Sequence, residues 1–143
     1  MVEGELIVPL VALLVRPEVL PSGQKVLVRG YLVKGLGPLL FLTAEHAEAF
    51  DTSAAIPVSD PSEDGSLMRA DCFDRFVAVS GTFVRHESGE VTIQRTTKVE
   101  YRSASAAESK DWPHLYVTCW QMPAAAQQGA AADVAHLARS RVW

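Results

Sequence analysis

Few residues in this chain have the right chemistry for metal binding or acid–base work. They are His46, His86, His114 and His136, the carboxylates Asp71 and Asp74 on either side of Cys72 and Phe73, and Ser80 just ahead of Gly81. A zinc centre needs imidazole or thiolate ligands grouped at short, fixed spacings, and no two of these histidines are so grouped. His46 travels with Glu45 and Glu48, the composition of a solvated helix face. A nucleophilic serine on a strand-to-helix elbow requires Gly-x-Ser-x-Gly, which the surroundings of Ser80 lack. Asp71 and Asp74 suit a helix start, where carboxylates favour the backbone dipole. Gly35-Leu36-Gly37-Pro38 lacks the later glycine and the lysine from which a phosphate cradle is built. These types and spacings predict no catalytic residue, no metal and no cofactor, so the chain is not expected to be an enzyme.

Composition narrows the classes further. A chain of 143 residues is long enough for one domain with one core, and 48% hydrophobic with 21% charged residues is ordinary for a globular protein. A net charge of −4 argues against a generic nucleic-acid binder, whose affinity rests on clustered Lys and Arg. Cys72 and Cys119 lie far apart with no Cys-x-x-Cys spacing, and buried free thiols are the expectation. Leu6 to Val15 is an unbroken apolar run, but Glu3 and Glu5 precede it instead of basic residues and no small-residue cleavage site follows. The run is also too short to span a bilayer, and the expected location is the cytoplasm.

The elements that would carry any binding surface are mostly strands. From Lys25 the chain alternates, with Val26, Val28, Gly30 and Leu32 on one side and Lys25, Leu27, Arg29, Tyr31 and Val33 on the other. A glycine inside such a run predicts a bulge or a sharp bend at Gly30. Gly35 to Pro38 turns the chain, and Leu39 to Thr43 returns as a buried strand. Phe76 to Arg85 and Val91 to Tyr101 repeat this grammar around the turn Glu87-Ser88-Gly89-Glu90. Thr52 to Ser59, weakened by Pro57, reads as an edge strand. Leu10, Leu13 and Leu14 share one face of a short helix opened by Pro9. Residues 44–50 predict a second helix capped by Thr43, and a helical turn is expected between Leu67 and Phe76 with Phe73 and Phe76 facing inward. Beyond a polar connector, His114 to Trp120 alternates again, and residues 124–141 are alanine-rich and predict a helix, firm from Ala130 onward.

This order of elements resembles the OB-fold. More narrowly, Val26, Val28, Gly30, Tyr31 and Leu32, with Val77, Val79, Gly81 and Phe83, are similar to the "V-x-V-x-G-Y-L" and "V-x-V-x-G-x-F" strands of small bacterial OB-like proteins, over residues 8–101. Those proteins are mostly of unassigned function, and some are of immunity-protein type. The resemblance implies a five-stranded Greek-key barrel with a leading helix over residues 1–102, and a strand and helix extension over 103–143 packed on the same domain. It also implies a binding module that covers a partner, such as an immunity protein occluding a basic toxin.

Two faces are candidates for that binding. For a protein partner, the acidic loop supplies Asp60, Glu63 and Asp64, and the aromatic-rich tail supplies Trp112, Tyr116 and Trp120 as anchors. For the alternative, a single-stranded nucleic acid, an OB face would offer Arg29 and Tyr31 with Arg95 and Lys98 farther round. The protein partner is the leading expectation, with neither nucleic acid nor membrane expected to bind.

Overall fold

The computed structural model describes residues 4–61, 65–102 and 116–122. The expected C-terminal helix, the polar connector, Glu63, Asp64, Trp112, His114 and His136 lie outside them. Among the described residues the protein is mainly β. Seven strands are present: β1 (Leu6–Pro9), β2 (Lys25–Lys34), β3 (Pro38–Phe41), β4 (Ala55–Pro57), β5 (Arg75–Arg85), β6 (Val91–Arg102) and β7 (Tyr116–Gln121). Three short helices accompany them: α1 (Leu10–Val15), α2 (Ala44–Glu48) and α3 (Ser66–Arg69). The sheet runs β4-β3-β2-β5-β6-β7 with every neighbour antiparallel, and β1 lies parallel along β2.

The alternation of β2 sets the two sides of this sheet. Val26, Val28 and Leu32 are fully buried while Lys25 and Arg29 are exposed, as the two-residue period requires. On the same inner side lie Leu40, Val77, Val79, Phe83, Ile93 and Val99, all buried. Leu10 and Leu13 of α1 join this core, and Leu14 and Leu42 pack half-buried against it.

Gly30 makes the length of β2 usable. Its flank is occupied by β1 as far as Arg29 and by β3 from Tyr31 onward. At this handover β3 comes so close that a Cβ on residue 30 would sit 2.7 Å from the Phe41 carbonyl oxygen and 2.8 Å from Leu40 Cγ. The ladder with β5 runs through Gly30 without a shift, so the glycine marks a close approach of backbones where a bulge or bend was expected. Gly81 is where the register breaks. Opposite it β6 carries extra residues, Arg95 adopts φ 52°, and a Cβ on residue 81 would lie 2.6 Å from Ile93 Cγ2.

The bulge in β6 turns Thr96 inward, where its hydroxyl donates to the Ser59 carbonyl at 2.9 Å. Ser59 N–H in turn donates to the Ile93 carbonyl at 2.8 Å, and Val58 makes a parallel bridge to Ile93. The segment leaving β4 thus reaches β6 through one bridge and no ladder, and the sheet is open. The five strand runs read from the sequence are present as β2 to β6, but they lie in an open sheet and not in the closed five-stranded barrel expected, and β1 and β7 extend it.

Two further expectations are corrected. Cys72 and Cys119 are joined as a disulfide; sequence distance hid the pairing because β7 returns beside the segment that leads into β5. Phe76 faces outward and is 55% exposed, because the period that buries Val77 and Val79 sends residue 76 to the other side. Phe73, expected inward, is buried. Thr43 caps α2 as its sequence predicts, its hydroxyl accepting from the His46 N–H at 3.1 Å.

Candidate binding face

The outer side of the sheet carries a row of aromatic side chains. Tyr31 of β2 is paired with Phe41 of β3 on one side and with Phe76 of β5 on the other, so all three rings stand on the face opposite the core. Phe41 is fully buried, with the ring of Phe50, just beyond α2, at 5.8 Å between centroids. Tyr31 is half-buried, and Phe50 and Phe76 are more than half exposed.

A second row runs alongside, in which Arg29 pairs with Ala78, Ala78 with Glu100 and Glu100 with Thr118. Tyr116 lies two residues from Thr118 and therefore on the same side, and the Arg29 guanidinium lies 5.9 Å from the centre of its ring. Beyond these rows Lys25 is exposed, and the Lys98 ammonium lies 3.7 Å from the Glu100 carboxylate. Glu5, Ser80, Thr97, Lys98 and Gln121 line a shallow polar groove of about 190 Å³ at the margin. The face thus has an apolar, aromatic centre and a polar border.

The predicted site residues are distributed unevenly over the molecule. Arg29, Tyr31 and Tyr116 come together on the outer face, with Lys98 near its margin, although the first two were proposed for one ligand class and Tyr116 for the other. Arg95 is exposed in the β6 bulge. Trp120 is only 7% exposed, packs in the core, and donates its indole N–H to Ser66 Oγ at 2.9 Å, which leaves it little surface to offer a partner. The Asp60 carboxylate accepts from the Met68 N–H at 3.2 Å, at the start of α3. Phe76 is the face residue that sequence reasoning missed, although the alternation around Val77 and Val79 carried the signal.

His46 Nδ1 lies 2.7 Å from Thr43 Oγ1, and His86 Nε2 lies 3.1 Å from Thr92 Oγ1. Among the described residues no three His, Cys, Asp or Glu side chains group to hold a metal ion, and no helix is long and apolar enough to cross a membrane. A cavity of about 370 Å³ lies between α1, β4 and the β5–β6 turn. Leu13, Leu39, Pro57 and Val91 supply apolar walls, and Glu90 and Thr52 are its polar side chains.

The disulfide lies at the far end of this sheet. Cys119 stands at a bulge in β7, between Thr118 paired to Glu100 and Trp120 paired to Val99. Its sulfur is 3.3 Å from the Val99 carbonyl oxygen, a contact without a hydrogen bond because a disulfide sulfur carries no proton. Comparison with protein-family models, with curated proteins and with solved structures finds no match to this chain.

Proposed function

We propose that this chain is a non-enzymatic binding module, and that its partner is a protein seated on the outer face of β2, β5 and β7. The observation that carries this reading is the exposed Phe76 beside Tyr31, flanked by Arg29 over Tyr116. Aromatic rings and arginine are the side chains that dominate protein interfaces, because they bury much area at small entropic cost. An apolar centre within a polar border is also the anatomy of such interfaces. The narrower form of the proposal is inhibition by occlusion, as an immunity protein acts on a toxin. The net charge of −4 supports a basic partner.

The fold proposed for the module is OB-like. Its support is the strand order, the glycine handover in β2, the short helix α3 before β5, and the parallel bridge from Val58 to Ile93. The disulfide supports an oxidising compartment as the place of action over the expected cytoplasm, since reducing pools keep thiols free.

A second reading, binding of single-stranded nucleic acid, is favoured by Lys25 and Arg29 on the same face as the rings. Fluorescence anisotropy with labelled oligonucleotides separates the two. The protein-partner reading predicts no binding at micromolar protein and physiological salt. Micromolar binding that weakens steeply as salt rises would replace it with the second reading.

A further inference from the structure

We infer that the Cys72–Cys119 disulfide is a redox lock that holds β7 on the sheet and, through Tyr116, completes the outer face. The strand it holds is the last in the sheet order, and its ladder is with β6 alone among the described residues. That ladder is interrupted at Cys119 itself. Of the β7 side chains only Trp120 is buried, whereas Val117, Thr118 and Gln121 are exposed. Besides the contact of Tyr116 with Arg29, β7 is attached beyond its ladder, among the described residues, at two points on the segment between β4 and β5. One is the indole hydrogen bond to Ser66, and the other is the disulfide to Cys72. Segments with few buried side chains and an interrupted ladder are the first to open in a native protein, so the covalent link decides whether β7 stays.

The two sulfurs are unequally reachable. Cys72 is completely buried and Cys119 half-buried, so a dithiol reductant meets Cys119 first. Its thiolate attacks Cys119 Sγ, the sulfur–sulfur bond breaks, and Cys72 leaves as a thiolate that takes up a proton. The second thiol of the reductant then displaces Cys119, and the reductant departs as a cyclic disulfide with two protein thiols left behind. With β7 released, Tyr116 leaves Arg29, and the outer face loses one side. In a reducing compartment the chain would fold without β7 bordering this face, and the face would be completed only where disulfides persist.

The lock concerns β7 whatever the face binds; only its consequence for binding rests on the function proposed above. It is tested without any partner, by hydrogen exchange on the oxidised protein, on the same protein in dithiothreitol, and on the double variant Cys72→Ser/Cys119→Ser. The lock predicts that reduction speeds exchange of the 117–121 amides by at least about tenfold more than that of β2 and β5, whose amides open with the whole fold and feel only the lost loop restraint. The variant is predicted to show the fast pattern with or without reductant. Unchanged protection of β7 in dithiothreitol would overturn the lock, and so would exchange rising equally through β2 and β5, which would make the bridge a staple of the whole fold. If the variant does not fold, the reduced wild-type protein still decides the matter.

Discussion

The guanidinium of Arg29 lies 5.9 Å from the centre of the Tyr116 ring although β5 and β6 run between the strands that carry them. Three interstrand spacings come to about 14 Å, so both side chains have to lie along the sheet and meet above the strands between them. Ala78 occupies the ladder position next to Arg29 and is 4% exposed, as expected if the two long side chains cover it. A small residue at 78 therefore makes the trough in which a cation–π contact between distant strands forms.

Arg29→Ala should open this trough without harming the fold. Exposed cation–π contacts contribute about 0.5–1 kcal/mol, so urea denaturation should find a loss of about that size. A loss above roughly 3 kcal/mol would make Arg29 a structural residue and not a face residue.

Gly30→Ala, by contrast, should be costly, because the new methyl would meet the Phe41 carbonyl at 2.7 Å and backbone cannot swing aside as a side chain does. Overpacking of this kind costs about 1–3 kcal/mol. Gly37→Ala is the control, since a Cβ there meets nothing within 4 Å. Equal stability of the two variants by denaturation would refute the handover at Gly30.

How much of this was legible in the sequence depended on periodicity. β2 and β5 alternate in sequence over ten or more residues and β6 on either side of its bulge, and the inner rows are readable from Val26, Val28, Val77 and Val79. β1 was not, because Leu6 to Pro9 has no alternation and an apolar run of four suits a strand or a helix equally. Nor does a sequence reveal that β3 takes over from β1 at Gly30. The face itself was half legible. Arg29 and Tyr31 are found by their parity with Lys25, but Phe76, expected inward with Phe73 at the end of a helical turn, already belongs to β5, where its parity with Ala78 places it outside. The disulfide was hidden for a different reason: it depends on β7 returning beside residue 72, a tertiary fact with no local signature.

Removing the disulfide should also lower stability. By closing a loop between residues 72 and 119 it restricts the unfolded chain, which contributes about 2–4 kcal/mol. Cys72→Ser/Cys119→Ser should lower the denaturation midpoint accordingly, while the wild-type protein, titrated with a thiol reagent under denaturing, non-reducing conditions, should show no free thiol. Two thiols per chain in protein from an oxidising compartment would count against the pairing.

One carboxylate gives the acid side of the stability profile a specific contributor. Asp51 caps the turn at Thr52–Ala54, and the Ser53 hydroxyl, with the Ser53 N–H behind it, holds its carboxyl below the ordinary value of 3.8. Because the folded value lies under the unfolded one, this stabilisation is complete above pH 3.8 and is lost as the pH falls through the lowered folded value. Asp51→Asn should flatten that part of the acid limb in thermal melts across the acidic range. An acid limb identical in the two proteins would show that the cap does not contribute.

The central claim is that Tyr31 and Phe76 form the centre of a protein-binding face, and paired affinity capture tests it most directly. Wild-type protein and the double variant Tyr31→Ala/Phe76→Ala, both oxidised and shown to be folded, are exposed to extract of the source cells at physiological salt after nuclease treatment. Quantitative mass spectrometry then compares what each retains. The account predicts at least one protein held by the wild type and lost by about tenfold or more in the variant, since two aromatic anchors each contribute about 1–2 kcal/mol or more. Equal retention of every captured protein by both would contradict it.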